Sequence, residues 1–233
     1  MNKNLTLFSA NKKINILFLP GWNTKLNMYS KLIEDLTKFG NVGYYSFEGF
    51  EKPISHPFTY EDYEYNLVNT LKEENFAPDI IIGYSFGGKV ALKSVMLFKD
   101  VKLLLIAPSS FDHNILYKSK IKFKILLNKM LKKLKIKTSF LYSNDFKNAD
   151  LNMKKTLINV KDVFLTKSEL KKIKNQIIII GYKKDKSVNL FDIKKNIKLL
   201  ENAELFYIDG NHYKLFYDFE SIEVLLERLI KND

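Results

Sequence analysis

A serine between two glycines, Gly83-Tyr84-Ser85-Phe86-Gly87, ends an apolar run and opens a stretch with helical periodicity. A backbone turn that tight needs its neighbours free of side chains, and the glycines two before and two after the serine provide that. The hydroxyl then projects from a strand tip, within reach of a substrate carbonyl. A serine hydroxyl is a weak nucleophile at neutral pH. It needs a base within hydrogen-bond reach, and the base needs an acid to hold its tautomer. The chain has three histidines, His56, His113 and His212. His212 lies in Asp209-Gly210-Asn211-His212-Tyr213, after the last expected strand and before the last expected helix. A loop there can carry an imidazole over neighbouring strand ends, so His212 is the expected base. Asp185 follows the expected strand Ile177–Gly181 and is the carboxylate expected to orient it. Asp112, just past the strand ending at Ala107, is the competing acid, while Asp209 is too close to His212 along the chain to be preferred. Read without chemistry, His212 is a solvated loop residue and Asp185 a turn residue among lysines. The order Ser, Asp, His at successive strand ends favours the chemical reading.

Attack on a carbonyl places negative charge on its oxygen, and two backbone N–H groups should converge there. Phe86, directly after the serine at a helix start, supplies one, and Trp22, after Pro20-Gly21, supplies the second. Gly21 allows close backbone approach, and Gly21, Tyr84 and Phe111 are expected to border the substrate pocket. His56, in Pro53-Ile54-Ser55-His56-Pro57, is expected near the cleft without a direct role, and His113 at a hinge or on the surface. No cluster of His, Asp or Glu has metal-ligand spacing, so neither metal nor cofactor is expected. Gly83–Lys89 lacks the Gly-Lys-Ser/Thr ending of a phosphate loop.

The elements that would position these groups recur at α/β spacing. Expected strands are an edge strand near the start, Ile14–Leu19, Val42–Phe47, Ile80–Gly83, Lys102–Ala107, Gln176–Gly181 and Glu204–Ile208. Expected helices are Thr24–Phe39 with Thr24 as cap and Gly40 as stop, then Tyr60–Glu74, Phe86–Phe98, Leu190–Leu200 and Leu215–Ile230. Buried strands alternating with helices imply a mostly parallel sheet covered on both faces, with ligands beyond the carboxyl ends of the strands. Residues 112–174 break the alternation. They are read as a helical lid inserted into a core made of residues 1–111 and 175–233, although Ile121–Ile125 also alternates like a strand.

The net charge of +12 resides in that insert, which holds 17 lysines against 5 acidic residues. Nucleic-acid readers favour arginine for bidentate base contacts, and this chain has a single arginine, Arg228, against 37 lysines. Nucleic acid is therefore not the expected partner. The lysines are read as the solvated face of amphipathic helices, or as a cationic rim for an amphiphilic ester, an acidic carrier or an anionic lipid surface. There is no cysteine, hence no disulfide and no thiolate site, which fits a cytoplasmic location. No apolar run approaches the ~20 residues that span a bilayer, and the apolar stretch at Leu5–Ala10 is too short for a secretion signal.

Leu19-Pro20-Gly21-Trp22, Glu48-Gly49-Phe50, the turn at Ser85, Gly181–Asp185 and Asn211-His212 together resemble the α/β-hydrolase fold superfamily over nearly the whole chain. The chain looks most similar to small capped carboxylesterases, the group that includes the pimeloyl-carrier-protein methyl esterase. Relatives usually carry His-Gly where this chain has Pro20-Gly21, and often Gly-His where it has Asn211-His212. The resemblance implies an α/β-hydrolase sheet with a helical lid. It also implies hydrolysis of a small-molecule carboxylic ester or thioester through an acyl-enzyme on Ser85. An aminopeptidase or amidase on the same fold, or a non-catalytic binder of lipid or partner, is the alternative.

Overall fold

The computed structural model describes residues 4–98, 100–112 and 144–231, with single helical positions at 119, 123, 126, 127 and 130. Among them seven strands form one sheet: β1 (Leu5–Phe8), β2 (Asn15–Leu19), β3 (Asn41–Tyr45), β4 (Ile80–Tyr84), β5 (Lys102–Ile106), β6 (Ile177–Tyr182) and β7 (Ala203–Ile208). Their order is β1-β3-β2-β4-β5-β6-β7. β1 runs antiparallel to β3, and every other pair is parallel. The chain moves outward from β2 to β3 and then returns past β2 to β4. A topological switch point therefore lies between the carboxyl ends of β2 and β4, where open α/β sheets hold ligands.

The central strands are apolar without interruption because both faces are covered. Successive residues point to opposite sides. Leu17, Leu19, Ile81, Leu103, Leu105, Ile177 and Ile179 belong to one buried cluster. Ile16, Phe18, Ile80, Ile82, Leu104, Ile106, Ile178 and Ile180 belong to the other. The first cluster is closed by α2 (Tyr60–Glu73), α3 (Phe86–Ser94) and α7 (Leu190–Asn196), through Leu67, Val90 and Ile193. The second is closed by α1 (Ser30–Leu36) and α8 (Glu220–Lys231), through Ile33, Leu36, Leu226 and Leu229.

Two expected helices begin as 3-10 turns. Over Thr24–Phe39 the chain first makes a 3-10 turn, Leu26–Tyr29, and only then α1. Thr24 is not its cap. Its hydroxyl donates to Gly21 O at 2.6 Å and lies 2.7 Å from the Tyr29 hydroxyl, tying the turn back onto the loop after β2. Gly40 keeps a negative-φ backbone and serves packing, since a Cβ there would lie 2.6 Å from Ile14 O. The expected helix Leu215–Ile230 is a 3-10 turn at His212–Phe216 followed by α8. Tyr217 breaks the run with φ −140°, and Asp218 restarts it by accepting from the Ser221 hydroxyl at 3.0 Å.

Within 112–174 the described residues include three helices, α4 (Asn144–Asn148), α5 (Leu151–Lys161) and α6 (Lys167–Lys172). Position 123 is helical, and the rest of Ile121–Ile125, on which the strand-like alternative rested, lies outside the described residues. Met153, Val160 and Leu170 enter the first core cluster. The fully buried Thr156 accepts from Phe58 N at 2.9 Å and donates to Asn152 O at 2.9 Å, which fastens α5 to the segment before α2. His113 lies outside the described residues. Among those described, no helix is long and apolar enough to cross a membrane.

Candidate active site

Ser85 stands between β4 and α3 with φ 51° and ψ −107°, a backbone state that costs on the order of 1–3 kcal/mol for a non-glycine residue. The surroundings impose it. Ser85 N donates to Ile106 O at 2.9 Å, and Ser85 O accepts from Ser109 N at 3.0 Å. Gly87 carries the tightest approach: its N–H donates to Pro20 O at 2.9 Å, and a Cβ there would sit 2.1 Å from Leu19 O. The first turn of α3 therefore rests directly on the backbone that leaves β2.

The loops after β6 and β7 interlock. Lys183 N donates to Ile208 O at 3.0 Å, and Lys184 N to Gly210 O at 2.9 Å. This brings Asp185 from one loop beside His212 from the other. Asp185 Oδ2 is 2.7 Å from His212 Nδ1, while Oδ1 accepts from Ser187 N at 2.7 Å and Val188 N at 2.9 Å. His212 Nε2 is 3.0 Å from Ser85 Oγ. The Asp185 carboxylate is 2 % exposed, so it has little water to compete with the imidazole. With the ring proton on Nδ1 facing Asp185, Nε2 presents its lone pair to the Ser85 hydroxyl.

Tyr84 holds the imidazole from below. Its hydroxyl donates to His212 O at 2.8 Å, and its ring lies 5.2 Å from the imidazole. Burial pushes the Tyr84 hydroxyl far above the usual tyrosine range, so it remains a donor. Asp112 and Asp209 are exposed, and the Nδ1 partner is Asp185. His56 is exposed as well, stacked on Phe58 at 5.1 Å. It borders a separate groove of about 910 Å³ that also includes Glu48 and Glu51 but none of Ser85, Asp185 and His212.

A cleft of about 240 Å³ opens at Ser85. Trp22, Phe86 and Phe111 line it on the sheet side, with Leu157, Val160 and Phe164 of the 112–174 segment opposite. Trp22 meets Phe86 edge to face at 5.2 Å. Phe86 is the first residue of α3, where helix N–H groups lack an intrahelical partner. Two pocket expectations need correction. Gly21 and Tyr84 do not line the cleft. Gly21 N is taken by the Tyr29 hydroxyl at 3.1 Å, and a Cβ at Gly21 would press on the Tyr84 ring at 2.8 Å. Both residues support the site from beneath.

One wall residue was missed from sequence. Lys89, one turn after Ser85, is 4 % exposed and borders the cleft. Burial lowers its pKa to about 8, against a smaller opposing attraction from Asp162. Its place in Phe86-Gly87-Gly88-Lys89-Val90-Ala91, a charge within an otherwise buried run, was the available signal. Among the described residues no group of three or more His, Asp or Glu side chains could hold a metal ion.

No family model matches the chain, and no curated protein matches it in sequence. Solved structures do. A hydrolase from Oleispira antarctica aligns with a TM-score of 0.76 at 19% identity, covering 99% of this chain and 95% of its own. An esterase from Exiguobacterium antarcticum aligns with a TM-score of 0.75 at 18% identity, covering 97% and 95%. MenH from S. aureus aligns with a TM-score of 0.73 at 18% identity, covering 99% and 98%. Matches of this kind, spanning both chains almost end to end with the same sheet, make the architecture certain: the chain has the α/β-hydrolase fold.

Proposed function

We propose that the protein is a serine hydrolase of carboxylic esters or thioesters. The observation that carries this reading is the continuous contact from Asp185 through His212 to Ser85, at 2.7 Å and 3.0 Å, beside an apolar cleft. Ser85 Oγ attacks the carbonyl carbon while its proton passes to Nε2 of His212, and Asp185 stabilises the imidazolium. The backbone N–H groups of Trp22 and Phe86 receive the oxyanion, a role worth about 10²–10³ in rate per donor in comparable sites. Collapse expels the alcohol or thiol, which takes the proton from Nε2. Water then gives a proton to Nε2, attacks the acyl carbon, and releases the acid and free Ser85. In this reading the 112–174 segment is the lid, and its apolar residues Leu157, Val160 and Phe164 form the far wall for the acyl chain.

The test pairs a fluorophosphonate probe with turnover of p-nitrophenyl acyl esters and aminoacyl anilides. The probe should label Ser85 in the native protein and leave a folded Ser85→Ala variant unlabelled, and esters should be preferred over anilides. Native, folded protein that neither labels nor hydrolyses any ester would defeat the reading. A clear preference for anilides would move it to amide hydrolysis.

A further inference from the structure

Lys89 is the one charged side chain in a buried turn of α3, directly beneath the cleft. An ammonium this deep is ordinarily paired with an acid. Among the described residues none lies within salt-bridge distance of it, and Asp162 contributes only a weaker attraction. Its partners are neutral. Nζ donates to Val160 O at 3.0 Å and Lys161 O at 2.9 Å, and lies 4.4 Å from the centre of the Phe164 ring. Two of its three N–H groups are thus taken by carbonyls, and the ammonium faces an aromatic ring.

The identity of the acceptors matters. Val160 and Lys161 are the last two residues of α5, where the helix dipole is negative, and Val160 O otherwise has only the backbone N–H groups just past the helix, such as Val163 N at 3.4 Å. A cation from a residue about 70 positions earlier thus caps the helix that forms the far wall of the cleft. The same end of α5 supplies Leu157, Val160 and Lys161 to that wall, and Phe164 follows immediately. The lysine stem rises from the helix that follows Ser85, so it ties the helix carrying the nucleophile directly to the carboxyl end of α5, while Thr156 and Asn159 hold α5 to the segment before α2.

We propose that Lys89 is a positioning residue that pins the carboxyl end of α5 across the Ser85 cleft and so fixes the depth available to the acyl chain. This rests on the reading of the cleft as an acyl site. Lys89→Met keeps the length and packing of the side chain and removes its donors and charge. Lys89→Arg restores both.

Two measurements decide the matter on intact protein. The first is hydrogen exchange of segment 157–164. Lys89→Met should accelerate exchange there about tenfold or more, as loss of charge-assisted hydrogen bonds predicts, while strands β4 and β5 stay protected. Lys89→Arg should exchange close to native. The second is a p-nitrophenyl ester series from acetyl to octanoyl. Lys89→Met should raise KM about tenfold more for the octanoyl ester than for the acetyl ester, and Lys89→Arg should bring the two back together. Native-like exchange of 157–164 in Lys89→Met would overturn the proposal. So would an equal loss for acetyl and octanoyl esters. If the native protein hydrolyses no ester, the functional reading fails on its own, and the exchange result alone decides whether Lys89 pins α5.

Discussion

The burial of Lys89 makes a thermodynamic prediction whose sign can be worked out in advance. In the folded protein its pKa is held at about 8, below the 10.5 of a free lysine, chiefly because burial penalises the charged form. The unfolded chain keeps the proton until pH rises through 10.5, whereas the folded chain releases it near 8. Between those values unfolding takes up a proton. Stability therefore rises with pH across this window, at a limiting slope of about 1.4 kcal/mol per pH unit. Below pH 8 both states carry the proton, and the desolvation cost is felt in full. Integrated from pH 7.5 to pH 9.5, the gain is about 2 kcal/mol. The perturbation is Lys89→Met, which cannot titrate. Urea unfolding of the native protein and the variant at pH 7.5, 8.5 and 9.5 gives the difference in stability at each pH. That difference should move in favour of the native protein by about 2 kcal/mol over the series. Buried tyrosines such as Tyr29, held at about 12, act in the opposite direction at higher pH. They are common to both proteins and cancel in the difference. Parallel pH profiles would refute the reasoning, because they would mean that Lys89 titrates alike in the folded and unfolded chain.

Three further outcomes follow from the geometry. Gly87→Ala would place a Cβ 2.1 Å from Leu19 O, a backbone atom that cannot swing aside. It should cost at least about 3 kcal/mol or abolish soluble expression, and an unchanged urea midpoint would refute the tight contact. Asp185→Asn retains an acceptor for Ser187 N and Val188 N but loses the charge beside His212. Ester turnover should fall about 10⁴-fold with a native thermal midpoint, and a loss below tenfold would remove Asp185 from the relay. Thr156→Val leaves the buried Phe58 N–H without its acceptor. A loss of about 1–3 kcal/mol in urea unfolding is expected, and no loss would mean that α5 is not fastened there.

The five inner strands were legible because a parallel sheet covered on both faces writes itself as short apolar runs, whereas the edge strands β1 and β7 carry exposed positions. Ile177–Ile180 and Leu103–Ile106 admit no exposed position, and each run ends at a turn residue. The serine was legible for a local reason as well, since Gly83 and Gly87 stand where only hydrogen fits. Helix continuity was less legible. Leu26–Tyr29 and His212–Phe216 have helical apolar spacing, but Leu26 N donates to Glu51 and His212 O accepts from the Tyr84 hydroxyl, and these contacts with distant parts of the chain outweigh that weak preference.

What the amino-acid sequence determined alone is the order of buried strands and the strained turn that presents Ser85, because both depend on neighbours along the chain. Tertiary structure decided the rest. Asp185 rather than Asp112 meets His212 because Lys183 N and Lys184 N, after β6, donate to the carbonyls of Ile208 and Gly210 at and just past the end of β7, distant in the chain. Lys89 is a wall residue rather than a surface lysine because the carbonyl end of α5 folds back over it. Propensity and spacing do not encode such meetings. They follow from which surfaces the packed sheet brings face to face.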